Sequence, residues 1–177
     1  MNKIIDTATR VNSFYERALS HLQSPLLLAV RLYWGWQFFQ TGYGKLMHMP
    51  KVVGFFTSLG IPFPAFNAYF VSYLECLGGA LLFVGLGSKI IALPLTIDMV
   101  VAYIAGDREA LFSIFSDPGK FYGADPYTFF FASLLILVLG PGKLSLDYAI
   151  SYVRARRVAG QDLRGTSALC YPIRSLD

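Results

Sequence analysis

Three apolar runs of nearly membrane-spanning length dominate this sequence, and each one contains a charged residue. The runs cover residues 25–43, 68–86 and 88–105. Each is close to the length of about 20 residues that an α-helix needs to cross the hydrocarbon layer. Arg31, Glu75 and Asp98 lie inside them. A charge at such a position costs at least about 2.5–3.5 kcal/mol, so it normally faces the protein interior and has a partner. The sequence therefore predicts a small membrane protein with a polar centre.

Composition agrees with this class. The chain has 177 residues, of which 55% are hydrophobic and 15% are charged, whereas soluble domains have about 25% charged residues. The net charge of +4 comes from lysines and arginines that lie mostly in the tails, so it does not indicate nucleic-acid binding. Cys76 and Cys170 form no CxxC pair, and we expect no disulfide between them. We predict no cleaved signal peptide.

The pattern along the chain predicts three parts. Residues 1–24 form an amphipathic cytoplasmic lead, residues 25–149 a membrane domain with four spans, and residues 150–177 a basic cytoplasmic tail. Residues 45–65 are too short to span and too apolar for an open loop, so we expect a re-entrant or interfacial helix there.

Asp125 and Pro126 predict the start of a short fourth span, with Asp125 as the N-cap and Pro126 as the first helical residue. The predicted fold class is an all-α integral membrane four-helix bundle.

The basic residues predict the orientation. Ten of the flanking lysines and arginines fall on the side that holds both termini, and four fall on the other side. Because cytoplasmic flanks carry an excess of basic residues, both termini are expected in the cytoplasm.

The charged residues lie on helix faces that also contain small residues. Residues three or four apart share one face of a helix. In the first run this face consists of Arg31, Gly35, Phe38, Gly42 and Lys45. The two glycines allow a neighbouring helix to approach closely. The second run has a matching face with Glu75 and Cys76, and the third has one with Asp98.

The helical rise predicts which charges meet. Glu75 and Asp98 lie about 15–16 Å from the ends of their runs, and Arg31 lies about 9 Å into its own. We therefore expect Arg31 to pair with Glu75 or Asp98, which leaves the other carboxylate free to exchange protons. Lys45, at the opposite end of the first run, is expected to be an interfacial anchor. Such an ion network can also be purely structural, fixing the register of the helices.

The remaining polar and aromatic residues give the candidate site. Aromatic residues, Tyr73 among them, are abundant on the outer side, where they form a membrane-interface belt or roof a cavity for a quinone or a lipid headgroup. For Cys76 the sequence favours a packing role over a role as a redox thiol. We take Glu75 and Asp98 as candidate catalytic residues. The candidate ligand-binding residues are Arg31, Lys45, Gln40, Tyr73 and Cys76.

Several kinds of chemistry have no motif in this chain. His21 and His48 are the only histidines, and neither lies within a predicted span, so paired haem ligands are not expected. No metalloprotease, hydrolase or nucleotide-binding motif occurs. We therefore predict no metal site and no intrinsic cofactor.

Four motifs, taken in order, carry a resemblance to a known family. They are Arg31-x3-Gly35-x2-Phe38-x3-Gly42-x2-Lys45, Gly54-Phe55-Phe56-x3-Leu59-Gly60-Ile61-Pro62, Glu75-x2-Gly78-Gly79 and Gly140-Pro141-Gly142-x2-Ser145-Leu146-Asp147. This order resembles the DoxX family of four-helix bacterial inner-membrane proteins over about residues 25–149. Asp98 departs from the pattern, since an apolar residue or Met is expected there.

The resemblance implies a role and a set of site residues. Family members are described as membrane partners of redox enzymes, and the related DoxD proteins as the membrane subunit of a thiosulfate:quinone oxidoreductase. Carried over by position, the pattern implies a polar core of Arg31, Lys45 and Glu75. It also implies a location in the bacterial inner membrane.

Three functions remain open from the sequence. The leading hypothesis is a membrane subunit of an electron-transfer complex that contributes to a quinone pocket, in which Arg31 and Glu75 orient or protonate the quinone and Asp98 carries a second proton. The second is a small-solute or proton-coupled transporter, and the third is a structural anchor or assembly factor. The expected partners are membrane lipid and either a redox enzyme or further copies of the chain, without nucleic acid.

Overall fold

The structure is a computed structural model that describes the backbone of residues 2–168 and the side chains of residues 22–157. Within these ranges every regular element is a helix, which confirms the all-α prediction. The helices are α1 (Asn2–Met47), α2 (Met49–Ser58), α3 (Pro64–Val84), α4 (Ser88–Ala105), α5 (Arg108–Phe112), α6 (Pro118–Gly123), α7 (Pro126–Leu139) and α8 (Leu146–Ala168).

The first helix is longer than the first apolar run. It extends from Asn2 to Met47 and continues through Pro25 without a break. The predicted lead and the first apolar run therefore form one element. A proline removes one backbone hydrogen bond, which does not by itself end a helix in a membrane protein.

Two helices of the described chain, α3 and α4, are long and apolar enough to cross a membrane. They correspond to the second and third predicted runs, and only residues 85–87 connect them. Gly85 and Gly87 in this connection have φ angles of +80° and +61°, which glycine adopts without the steric cost of a Cβ. The second and third runs therefore form a tight helical hairpin.

The fourth apolar run forms a helix that is short for a bilayer. α7 begins at Pro126, as predicted, and ends at Leu139, a length of about 21 Å at the usual helical rise. Asp125 occupies the predicted N-cap position, but it makes no side-chain capping hydrogen bond and has helical φ and ψ angles of −52° and −40°. A capping residue normally has non-helical angles that direct its side chain at the first free amides.

The glycine faces predicted from the sequence meet in the structure. α1 packs along α3, with Gly35 against the backbone of Gly79 and Phe83, and Gly42 against the backbone of Cys76. A side chain at any of these glycines would collide with the facing backbone. The small residues thus set the distance between α1 and α3, as expected for helix contacts in membranes.

The interior between α1, α3, α4 and α7 is closely packed. Its buried core consists of Phe38, Leu82, Ala92, Leu95, Met99 and Ile136. α4 also packs along α7, where the Thr96 hydroxyl donates a hydrogen bond of 3.0 Å to the Ser133 hydroxyl. The expected short helix after the first run is present as α2, which packs against α3.

Candidate functional site

The charged residues form two separate clusters, at different levels along the α1–α3 pair, instead of one polar centre. Arg31 lies against Gly85, just beyond the end of α3. Lys45 pairs with Glu75, farther back along α3. Glu75 and Gly85 are about 15 Å apart along the helical direction. The predicted pairing of Arg31 with Glu75 or Asp98 is therefore wrong.

Arg31 binds two backbone carbonyls in the loop between α7 and α8. Its side chain is buried, and its two terminal nitrogens donate hydrogen bonds to the carbonyl oxygens of Pro141, at 2.9 Å, and Leu144, at 2.8 Å. A Cβ at Gly85 would lie 2.5 Å from Arg31 Nη1, so glycine leaves the space that the guanidinium occupies. Arg31 thus supplies donors to two loop carbonyls that would be costly to leave unpaired in a buried position.

Asp147 extends the same cluster to α4. Its carboxylate accepts hydrogen bonds from the backbone amides of Gly87, at 2.7 Å, and Ser88, at 2.9 Å. Its own amide donates to the carbonyl oxygen of Gly85 at 3.0 Å. Asp147 thus caps α4 from a distant part of the chain. We refer to Arg31, Gly85, Gly87 and Asp147 together as the Arg31 cluster.

The second cluster holds both candidate catalytic carboxylates. Lys45 Nζ lies 2.6 Å from Glu75 Oε1, and the side chains of Lys45 and Glu75 are 33% and 3% exposed. Asp98 lies close enough to Glu75 for their charges to interact. The expectation that Lys45 is an interfacial anchor is wrong, because its ammonium group turns toward a buried carboxylate of α3. We call these three residues the Lys45 cluster.

Two oxygens of this cluster lack a protein partner. Glu75 Oε2 and Asp98 Oδ2 are buried and make no hydrogen bond to any part of the chain that the structure describes. A buried polar atom without a partner costs about 1–3 kcal/mol, and more when it is charged. These oxygens can accept hydrogen bonds from a molecule that enters the site.

A cavity of about 730 Å³ lies beside these oxygens. Its volume falls within the range of about 300–1,000 Å³ that small-molecule pockets have. Apolar residues from several helices form most of its wall, among them Val52, Phe55, Phe56, Leu59, Val71, Met99, Val101, Ala102 and Phe129. The Lys45 cluster lies in this wall, together with Thr41, Lys51, Asn67, Asp107 and Asp125. The mostly apolar wall with a few polar groups is the usual form of a ligand site.

The structure separates the sequence-predicted residues into two groups. Lys45, Glu75 and Asp98 come together at the cavity, whereas Arg31 lies in the other cluster. Gln40 and Tyr73 are exposed on the outside of the helices and do not line the cavity.

Cys76 also lies outside the cavity wall. It is half-buried, and its backbone faces Gly42 on α1. This geometry agrees with the packing role that the sequence favoured for this cysteine.

Sequence reasoning missed part of both clusters. Lys51 of α2 lines the cavity, although it was not among the candidate ligand-binding residues of the predicted re-entrant or interfacial helix. Asp147 is the last residue of the motif that begins with Gly140-Pro141-Gly142. Nothing in the sequence indicated that it caps α4. Helical periodicity relates residues within one element, and it gives no information about contacts between elements.

The Lys45 cluster can form hydrogen bonds to the polar end of a small, mostly apolar molecule in the cavity. The ammonium group is a donor, and an ionised carboxylate is an acceptor only. Paired carboxylates beside a cavity can also accept and release protons. Among the described residues no group of three or more potential metal ligands comes together.

Comparisons with known proteins place the chain among membrane proteins. The DoxX family model matches residues 26–108. "Uncharacterized membrane protein Rv3486" of Mycobacterium tuberculosis is 30% identical over 139 residues, which cover 72% of this chain and 82% of that protein. "Putative oxidoreductase CatD" of Bacillus subtilis is 33% identical over 85 residues, covering 48% of this chain and 62% of that protein. No solved structure matches the chain.

Proposed function

The chain belongs to the DoxX family of membrane proteins, and from that premise we propose that it is the membrane subunit of an oxidoreductase complex and binds a quinone in the cavity beside the Lys45 cluster. The observation that carries this proposal is the buried carboxylate pair, with two unpartnered oxygens beside an apolar cavity. The name of the Bacillus subtilis relative supports the choice of redox chemistry.

The proposal includes a membrane arrangement. α1 from about residue 25, α3, α4 and α7 would cross the bacterial inner membrane as a four-helix bundle, with both termini in the cytoplasm. The distribution of lysine and arginine in the flanks supports this orientation. The short α7 would need a locally thinned bilayer. The Arg31 cluster would then lie at the cytoplasmic end, and the cavity toward the outer half.

Each residue of the Lys45 cluster has a proposed role. Lys45 donates a hydrogen bond to one oxygen of the bound ring, and Glu75 holds the ammonium group in place through the 2.6 Å ion pair. Asp98 takes up or releases a proton at the cavity wall. Arg31 has a structural role at the other end, and this differs from the quinone-orienting role that the sequence suggested.

The packed interior disfavours transport of a solute through the chain. The cavity borders Met99 and Phe129, and Phe129 packs against buried Phe38 with ring centroids 4.8 Å apart. Leu82, Leu95 and Ile136 fill the adjoining core. A solute entering the cavity would therefore meet close-packed side chains rather than a continuing path.

Native mass spectrometry tests the proposed function. The protein is extracted gently from its own membranes, and the bound molecules are then recovered with solvent. We expect a quinone and a redox-enzyme partner to accompany the wild-type chain. The Glu75→Gln variant should retain at most about a tenth of the quinone that the wild type retains, because it loses the ion pair that positions Lys45.

The matched control is Glu109→Gln, which removes a carboxylate on α5 outside the cavity wall. This variant should retain quinone as the wild type does. A wild-type chain that carries only bulk phospholipid and no redox partner would contradict the proposal.

A further inference from the structure

We propose that one face of α1 is the contact surface of a homodimer, in which the amide of Gln40 in one protomer forms hydrogen bonds with the same amide in its partner inside the membrane. This inference goes beyond the quinone site and rests only on the membrane arrangement proposed above. Its basis is a pair of amide side chains, Gln37 and Gln40, on the side of α1 that faces away from the bundle.

The first helix has the same residue spacing on two opposite faces. The face that packs on α3 contains Arg31, Gly35, Phe38, Gly42 and Lys45. A shift of two residues, which is a rotation of about 200° around the helix, gives the second face. We call it the outer face, and it consists of Tyr33, Gln37, Gln40, Gly44 and Met47. Alternating intervals of four and three residues are typical of a helix that packs along another helix.

The outer face has no partner among the residues that the structure describes. Tyr33 and Met47 are 58% and 59% exposed, and Gln40 between them is exposed as well. The pattern that α3 covers on one side of α1 is therefore repeated, uncovered, on the other side.

The two glutamines lie deep in the proposed span. Counted from Pro25, Gln37 and Gln40 lie about 18 and 22 Å along the helix, within a hydrocarbon layer about 30 Å thick. Lipid tails have no hydrogen-bonding groups, so an amide that faces them loses the hydrogen bonds it makes in water. α4 shows the usual lipid-facing pattern, because its exposed residues from Ile90 to Ile104 are all isoleucine, leucine or valine.

Polar groups of α1 itself leave these amides available. Gln37 Nε2 donates a long hydrogen bond of 3.3 Å to the Tyr33 hydroxyl. The Thr41 hydroxyl, in contrast, donates to the carbonyl oxygen of Gln37 at 2.6 Å, so it is satisfied within its own helix. The exposed amide of Gln40 offers two donors and an acceptor oxygen. A neighbouring helix with donors and acceptors at the same depth would satisfy it.

A second copy of the chain supplies such a helix. All copies cross the membrane in the same direction, so two α1 helices that meet are parallel, and Gln40 lies at the same depth in both. A residue near a two-fold axis meets itself. Two amides can each donate to the carbonyl oxygen of the other. Gln40 lies midway between Tyr33 and Met47, and one polar residue at such a position fixes the register of two packed helices.

The outer face also leaves room for a close contact. A Cβ at Gly44 meets nothing within 4 Å, so glycine or alanine at this position allows a second helix to approach. Contacts between membrane helices are rich in such small residues, and glutamine side chains form hydrogen bonds across them.

Photo-cross-linking in living cells identifies the occupant of the outer face. Benzoylphenylalanine replaces Tyr33 in the full-length chain, or Phe131 as the control, since Phe131 is 54% exposed on α7. Each replacement exchanges one aromatic side chain for another. We expect a product with twice the mass of the chain from position 33 and none from position 131. A product of position 33 with a different protein would assign the outer face to another subunit and overturn the homodimer.

Energy transfer between donor- and acceptor-labelled chains in liposomes measures the strength of association as protein is diluted with lipid. Gln40→Leu should raise the dissociation constant of the dimer about tenfold or more, as expected when two hydrogen bonds between helices are lost. Leucine suits a lipid-facing position better than glutamine, so this variant should still insert and fold. Gln40→Asn is the matched control, because it keeps an amide and should retain most of the association.

The outcomes separate this inference from the proposed function. A wild-type chain that stays monomeric at every protein-to-lipid ratio overturns the homodimer. A dimer that Gln40→Leu leaves unchanged, or that both variants weaken equally, overturns the assignment to the amide. The quinone site stands in each of these cases, because Gln40 lies outside the cavity wall. A dimer that retains no quinone contradicts the proposed function and supports this inference.

Discussion

Arg31 and Lys45 lie on one face of α1, yet their side chains act at different ends of the molecule. Arg31 donates to carbonyls near the end of α7, and Lys45 pairs with Glu75 of α3. The guanidinium group has several donors in a fixed planar arrangement, which suits two carbonyl oxygens from one loop. The single ammonium group of Lys45 suits one carboxylate oxygen.

Replacing Arg31 should reduce stability. Arg31→Ala leaves the carbonyls of Pro141 and Leu144 without donors, at about 1–3 kcal/mol for each buried group. We expect a loss of about 3 kcal/mol in the free energy of unfolding, measured by denaturant titration in detergent. Arg108→Ala is the control, because Arg108 is exposed and surface changes usually stay within about 0.5 kcal/mol.

A double-mutant cycle should couple Lys45 to Glu75. Removing one partner of a buried pair leaves an uncompensated charge, at about 3–5 kcal/mol. Lys45→Met combined with Glu75→Gln should therefore cost less than the sum of the two single changes, with a coupling energy of about 1–3 kcal/mol. The cycle between Arg31→Ala and Glu75→Gln should show additivity. Strong coupling in this second cycle would support the arrangement expected from the sequence and contradict the structure.

Among the helices, the contact between α1 and α3 depends on glycines that face backbone. Gly79 lies against the backbone of Phe38 and Phe39, and Gly35 lies against that of Phe83. A backbone segment cannot turn aside as a flexible side chain can. The α1–α3 contact therefore tolerates no larger residue without separation of the helices.

Two glycine substitutions should have opposite effects. Gly79→Ala places a methyl group against the backbone of α1, and we expect a loss of at least about 2 kcal/mol in the free energy of unfolding. Gly44→Ala is the matched control, because a Cβ at Gly44 meets nothing within 4 Å. It should gain up to about 1 kcal/mol from the better helix propensity of alanine. Equal destabilisation by both substitutions would contradict the packing of α1 on α3.

The start of α4 depends on a residue from outside the helix. Asp147→Ala removes the acceptor for the amides of Gly87 and Ser88, and loss of such a cap costs about 0.5–2 kcal/mol. We expect faster amide hydrogen exchange in the first turn of α4, measured by mass spectrometry, while exchange in α7 changes little. Unchanged exchange in α4 would show that Asp147 does not cap it.

For the whole molecule, the proposed four spans place both ends of the chain on one side of the membrane. Fluorescent protein fused after Asp177 should therefore fluoresce in the cytoplasm, and alkaline phosphatase inserted after Gly60 should be active outside it. Alkaline phosphatase activity of a fusion after Asp177 would contradict the proposed orientation.

The sequence by itself determined the class of protein, the apolar helices α3, α4 and α7, and the glycine faces by which α1 and α3 meet. Apolar run length, helical spacing and the glycines of α1 and α3 are local properties of a helix, so they can be read without its neighbours. The similar depth of Glu75 and Asp98 also followed from the sequence, because each lies about 15–16 Å from the end of its apolar run.

Only the tertiary structure decided which charges pair and where a ligand could bind. The offset of α1 along α3 depends on side-chain packing over the whole contact. Arg31 and Lys45 are about 21 Å apart along α1, so this offset decides which of them lies beside Glu75. The cavity wall likewise combines α2 with residues of α3, α4 and α7 that are far apart in the chain. Helical periodicity fixes the direction in which a side chain points around the axis of its helix. Packing between helices fixes the position of that side chain along the neighbouring helix, and therefore its partners.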